Sequence, residues 1–330
     1  MSDALTALIE DVRAQDARAI ARAISLVEND GGPALALLQR LFPHTGRAVI
    51  LGVTGSPGVG KSTLVDRLAQ YYRARGETVG ILAVDPSSPF TGGAILGDRI
   101  RMQTLGTDPG VFIRSMATRG NLGGLARATG DAVLILDAAG YEKVIIETVG
   151  VGQDEVDIAK TADVTIVVLM PGLGDDVQTI KAGLMEIADL FVINKADREG
   201  VGRLESELNA MLALAERGDG WRPPIIKTIA TEGYGIEDLG HAIARFLDFR
   251  ERSPHADRRR QEMAEQRLRT LLRDQLFAFA LRHLTTDEEL AQWAAAVARR
   301  ERDPYSIVEE VLRRWEMRGP ATARPTDQEG

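Results

Sequence analysis

The run Gly55-Ser56-Pro57-Gly58-Val59-Gly60-Lys61-Ser62 follows the apolar stretch Ala48-Val49-Ile50-Leu51-Gly52-Val53 and leads into residues of helical pattern. Glycines at this spacing let the backbone curl until successive N–H groups surround an anion. Lys61 can then reach the β- and γ-oxygens of a nucleoside triphosphate, and the hydroxyl of Ser62 can ligate Mg²⁺. Thr63, next along the nascent helix, completes the set of residues expected to hold the nucleotide's phosphates.

A second constellation addresses the base. Asn194-Lys195-Ala196-Asp197 ends the apolar run Phe191-Val192-Ile193. In this pattern the Asp197 carboxylate accepts from N1 and the 2-amino group of guanine, Asn194 bonds the base edge, and the Lys195 stem covers the ring. Adenine offers neither donor, so Asp197 would be left without a partner, a costly mismatch. The expected ligands are therefore GTP and GDP, with Mg²⁺. Ile229-Ala230-Thr231 follows the last apolar run, where GTPases often carry an S-A-K-like turn whose backbone N–H meets the guanine O6; only Ala230 matches that pattern, and its N–H is expected at this contact.

Between these motifs lie residues suited to sensing the γ-phosphate. Val144-Ile145-Ile146-Glu147-Thr148-Val149-Gly150 is an apolar run ending in an acid, with a glycine three residues on. Glu147 can hold Mg²⁺, and the N–H of Gly150 can touch the γ-phosphate. Lys61, Glu147 and Gly150 are thus the expected catalytic residues. Asp85 and Asp98 are further oxygen donors in a glycine-rich stretch. Val151 stands where many GTPases place a water-orienting Gln; an apolar side chain cannot orient water, so intrinsic hydrolysis is expected to be slow until a partner supplies the missing group.

These residues require a frame that gathers them. From residue 46 to 250, apolar runs alternate with helical stretches: Val49–Val53, Val79–Val84, Val111–Arg114, Lys143–Glu147, Val164–Met170, Leu190–Asn194 and Ile225–Ile229. This predicts an α/β fold, a P-loop NTPase G domain whose mostly parallel sheet lies between helices. Residues 1–45, with Ile20, Ala23, Ile24 and Val27 at helical spacing, form a helical extension of two or three helices. Residues 251–318 read as strand-free helices with stripes through Leu268, Leu271, Leu272, Leu276 and Phe279, then Trp293 and Val297, then Val308, Val311, Leu312 and Trp315. Such faces need a partner surface, and a second subunit is favoured. The segment 319–330 is expected to be a disordered tail.

Composition narrows the class. A net charge of −8 argues against general nucleic-acid binding, and the basic residues Arg250, Arg252 and Arg258-Arg259-Arg260 read as a solvated helix face or linker. No run approaches the roughly 18 apolar residues of a membrane span, and the N-terminus lacks signal-peptide character. Absence of Cys removes thiolate chemistry and fits the cytoplasm.

Asp85-Pro86-Ser87-Ser88, Gly92-Gly93-Ala94-Ile95-Leu96-Gly97-Asp98-Arg99, Ala117-Thr118-Arg119-Gly120-Asn121-Leu122-Gly123-Gly124 and Glu147-Thr148-Val149-Gly150-Val151-Gly152-Gln153 together resemble the MeaB/ArgK/MMAA family of metallochaperone-type P-loop GTPases. The similarity runs from Ala21-Arg22-Ala23-Ile24 to beyond Asp197. It implies a G protein that gates adenosylcobalamin loading and protects methylmalonyl-CoA mutase, or a related acyl-CoA mutase. It also implies Mg²⁺ at positions matching Ser62, Asp85, Asp98 and Glu147, a switch segment with Asp175, Gln178 and Lys181, and a homodimer through the C-terminal helices. Arg99-Ile100 and Asn121 depart from the family's common Lys-Thr and His.

Two rival readings are a nucleotide-dependent kinase of a transport system and a nickel-inserting GTPase. The first lacks an identifiable base at an acceptor site. The second lacks metal-binding clusters, since there is no Cys and the four His residues, His44, His241, His255 and His283, are scattered.

Overall fold

Near-continuous apolar sequence is what a strand buried on both faces requires, and among the described residues seven such runs form one sheet. The computed structural model describes residues 3–29, 32–85, 105–117, 124–148, 161–172, 187–214, 218–253 and 256–318. The strands are β1 (Val49–Thr54), β2 (Val79–Asp85), β3 (Val111–Ala117), β4 (Lys143–Thr148), β5 (Val164–Leu169), β6 (Leu190–Asn194) and β7 (Ile225–Thr228). Their spatial order is β3-β2-β4-β1-β5-β6-β7, and every pairing is parallel. β3 extends to Ala117, past the expected end at Arg114, because its mixed second half pairs with β2 as far as Asp85.

Alternate residues face opposite layers. On one face Val144 and Ile146 of β4 pack with α1 (Asp3–Arg13), α2 (Ala17–Glu28), α3 (Gly32–Leu41) and α5 (Gly124–Ala138). Toward the other face Ile145 joins Leu51 and Val53, under α4 (Lys61–Arg73) and α7 (Ile236–Arg252). Val167, Phe191 and Ile193 cover α6 (Val201–Leu214). Burying each such Ile, Leu or Phe contributes about 1.5–3 kcal/mol, so register is strongly specified. The three N-terminal helices thus share a core with the sheet, and α2 is capped by Asp16, whose carboxylate accepts from the Ala19 N–H at 2.7 Å.

Two buried or half-buried carboxylates set the entry into β1. Asp137 accepts from the N–H groups of Gly46 (2.5 Å), Arg47 (3.1 Å) and Ala48 (2.9 Å). Asp163 accepts from the Ile50 N–H at 2.9 Å and from Arg250 at 2.8 Å. Arg250 is therefore a clamp between α7 and the start of β5, not part of a solvated basic face; Arg252 pairs with exposed Asp248. Asp137→Ala leaves three backbone donors without their acceptor and is expected to lower unfolding stability by roughly 2–4 kcal/mol. The urea midpoint measures it; a shift no larger than that of a surface substitution would show that the carboxylate does not hold this entry.

The chain divides into two compact units, Met1–Arg260 and Gln261–Gly330. The second takes in α8 (Ala256–His283) from Gln261 onward, followed by α9 (Asp287–Ala298) and α10 (Pro304–Arg318). Thr286 and Glu289 form a capping box on α9. Arg314 of α10 donates to Glu289 (2.8 Å) and the Leu284 carbonyl (3.2 Å) and lies over Trp293. Leu268, Leu272, Phe277 and Val308 remain more than half exposed. Among the described residues no helix is long and apolar enough to cross a membrane. Residues 319–330 lie outside the described residues.

Candidate nucleotide-binding site

Parallel pairing brings the motif-bearing strand ends to one edge. β1 lies between β4 and β5, and Val53 is level with Glu147, which in turn is level with Ala83 of β2, two residues before Asp85. The loop after β1 therefore leaves the sheet beside Glu147, at a point where successive strands diverge to either side and a crevice forms. Thr148 donates to Thr54 at 3.1 Å, pinning the two strand ends together.

The loop 55–60 needs glycine at its two ends. Gly55 has φ 146°, and a Cβ there would run into the Val168 carbonyl oxygen. Gly60, at φ 94°, would place a Cβ 2.5 Å from Nδ2 of Asn194. Gly60 precedes α4 without a side-chain cap, and the first helical bond is from Leu64 N–H to the Gly60 carbonyl at 3.0 Å. An α-helix offers its first N–H groups no acceptor of its own, which gives the terminus at Lys61 the donors and positive potential that suit a phosphate.

Lys61 is buried and its ammonium donates to the carbonyls of Gly55 (2.6 Å) and Ser56 (3.0 Å). Ser62 Oγ donates to Glu147 Oε1 at 2.6 Å, and Glu147 is itself only 7% exposed. A hydroxyl and a carboxylate held side by side at a helix N-terminus are hard oxygen donors of the kind Mg²⁺ takes, so this pair fits that ion. Among the described residues no group of three His, Cys, Asp or Glu gathers as a metal site. The backbone of Asp85 ends β2 at the same edge. Asp98, Gly150, Val151, Asp175, Gln178 and Lys181 lie outside the described residues.

The base-side residues are tied to the phosphate loop through one side chain. Asn194, 2% exposed, donates from Nδ2 to the Val59 carbonyl at 2.9 Å. Its Oδ1 accepts from the Thr228 hydroxyl and from the Ala230 N–H, both at 3.1 Å. Lys195 takes a left-handed conformation, φ 56°, and its ammonium donates to the Gly58 carbonyl at 2.7 Å. That strained backbone, worth about 1–3 kcal/mol, turns the chain so that exposed Asp197 follows at the rim.

The geometry differs from the sequence expectation in two details. The Ala230 N–H, expected at the guanine O6, is directed to Asn194. Asn194, expected only at the base edge, commits its oxygen and one amide hydrogen to the frame, leaving the second hydrogen of Nδ2 for a base. Sequence reasoning missed two residues. Thr228, a buried polar residue ending an apolar strand, carried a weak signal; Arg67 of α4, whose guanidinium reaches the turn at Ala230 and Thr231, carried none. Beside Arg67, burial pushes the Asp66 carboxyl above its ordinary range, partly offset by the guanidinium charge.

Comparison with known proteins places this arrangement. The family model described as methylmalonyl Co-A mutase-associated GTPase MeaB matches residues 20–284. A protein of Pyrococcus abyssi is 51% identical over 309 residues, covering 93% of this chain and 95% of its own. The Escherichia coli GTPase ArgK is 38% identical over 294 residues, covering 86% of this chain and 87% of its own. The crystal structure of an LAO/AO transport system kinase is similar, with a TM-score of 0.71 at 29% identity, covering 96% of this chain and 99% of that one.

Proposed function

Because the chain belongs to the family of methylmalonyl Co-A mutase-associated GTPases, MeaB, we propose that it is a GTP-hydrolysing chaperone that gates adenosylcobalamin loading and protects methylmalonyl-CoA mutase or a related acyl-CoA mutase. The observation that carries the nucleotide part is Asn194. One buried side chain bonds both Val59 of the phosphate loop and Ala230 of the base-side turn, so the two ends of a nucleotide meet a single hydrogen-bonded unit.

Each residue then has a task. The loop from Gly55 through Gly60 and the N–H groups of Lys61, Ser62 and Thr63 receive the phosphates. Lys61 exchanges neutral carbonyl acceptors for anionic phosphate oxygens, so that both partners of each bond carry charge. Ser62 and Glu147 would hold Mg²⁺, with Asp85 and Asp98 completing the set; when bound, the ion neutralises charge on the β- and γ-oxygens. Gly150 touches the γ-phosphate, so loss of that phosphate alters the segment that follows Glu147. Asn194 and Asp197 read guanine, and the Lys195 stem, anchored to Gly58, covers the ring.

Val151 gives the site no group to orient water, so intrinsic hydrolysis is slow and a partner completes it. Asp175, Gln178 and Lys181 relay the nucleotide state to that partner. The exposed apolar residues of the second unit support pairing with a second copy into a homodimer, and a G domain spanning 46–250, with helical segments 1–45 and 251–318, is the proposed division. The absence of Cys suits action in the cytoplasm.

The deciding experiment measures binding of the full chain to methylmalonyl-CoA mutase with GDP and with a non-hydrolysable GTP analogue. A switch requires affinities that differ about fivefold or more, since only differential binding can shift a partner's state. Equal affinity in both nucleotide states would rule the switch out.

A further inference from the structure

Arg67 lies on α4, about one and two-thirds turns beyond Lys61, and its guanidinium spans the turn that follows β7. Nε donates to the Ala230 carbonyl at 3.1 Å and Nη2 to the Thr231 carbonyl at 2.7 Å. Nη1 donates to Gln70 Oε1 at 3.2 Å, and Gln70 Nε2 donates on to Asp66 at 2.8 Å. A planar fork held on three sides fixes the peptide groups it grips, a task for which a single ammonium is unsuited.

The direction of those peptides has a consequence for ligand recognition. In a planar trans peptide the carbonyl and the following N–H point opposite ways, and the described backbone has no cis bonds. Holding the Ala230 carbonyl toward α4 therefore aims the Thr231 N–H away from α4. The neighbouring donors have other work: the Ala230 N–H goes to Asn194 Oδ1, and the Glu232 N–H closes the turn on the Ile229 carbonyl at 2.9 Å.

We propose that Arg67 is a positioning residue for base recognition, holding the Ala230–Thr231 turn so that the Thr231 N–H, and not that of Ala230, donates to the 6-oxo group of a bound guanine. This rests on the guanine-nucleotide reading of the same site. It also closes a loop: the phosphate loop grips Asn194, Asn194 grips Ala230, and Arg67 returns the turn to the helix that the phosphate loop begins.

The test compares GDP with 6-thio-GDP, which keeps the N1 proton and 2-amino group but replaces the oxygen with a weaker acceptor. The full chain is expected to prefer GDP by about tenfold, the worth of one good hydrogen bond. In Arg67→Ala that preference collapses toward unity because GDP affinity falls while 6-thio-GDP affinity barely changes. Arg67→Lys keeps the charge on α4 but not the fork, and is expected to lose most of the preference while melting like the parent; it decides the matter if Arg67→Ala does not fold. Retention of the full preference in these variants, or equal loss of both ligands, overturns the proposal. An unsubstituted chain that binds neither nucleotide would instead overturn the guanine reading on which it rests.

Discussion

Lys61→Ala is expected to reduce GTP turnover by about 10²- to 10³-fold, the usual effect of removing one preorganised donor from developing negative charge. The lysine enters α4 at its first residue, buried, with its ammonium on the carbonyls of Gly55 and Ser56. Its reach is thus confined to the mouth of the loop, where the phosphates would sit. Truncation removes the ammonium held on Gly55 and Ser56 while leaving the N–H groups of the loop and helix terminus in place. Binding should weaken less than turnover falls, because backbone donors hold the ground-state phosphates as well as those of the transition state. Lys61→Arg is expected to restore little, since a wider planar fork does not fit a position lined by Gly55 and Ser56. Phosphate release under saturating GTP, with melting as a control, checks this. Turnover within threefold of the parent would remove Lys61 from the chemistry.

What was legible in the sequence follows the physics of burial. Parallel strands covered on both faces must be apolar at nearly every position, so Val164–Leu169 and Leu190–Asn194 were readable as strands from composition alone. The mixed second half of β3, Arg114-Ser115-Met116-Ala117, was not, because its strand state comes from pairing with β2. The phosphate loop and Asn194-Lys195-Ala196-Asp197 were legible because their roles reside in contiguous residues of fixed spacing. Contacts between elements far apart in the chain leave no such trace. Nothing in the local sequence ties Arg67 to Thr231, or Asp137 to the N–H groups of residues 46 to 48. Those contacts set where the legible motifs sit, and they became visible only once the sheet had brought its strand ends to a common edge.

Asp197→Asn is expected to turn the base preference from guanine to xanthine. A carboxylate only accepts, and guanine presents two donors, N1–H and the 2-amino group. An amide presents one acceptor and one donor, which match the N1–H and 2-oxo group of xanthine. With GDP the bond from N1–H survives only as a neutral one and the other is replaced by an amide donor facing the 2-amino group, an effect on the order of 10²- to 10³-fold in affinity, and xanthosine diphosphate gains in proportion. The substitution is clean because Asp197 is exposed and follows Lys195, whose left-handed backbone and bond to Gly58 set the turn without it. Ala196 likewise donates to the Thr228 carbonyl at 3.0 Å, independent of the carboxylate. Stability should therefore change by less than about 0.5 kcal/mol, so a change in binding reports on the base contact alone. Competition of GDP and xanthosine diphosphate for a fluorescent guanine nucleotide measures the inversion. If Asp197→Asn keeps the parent's preference for GDP, the carboxylate does not read the base, and the guanine selectivity of this site must come from the turn that Arg67 holds.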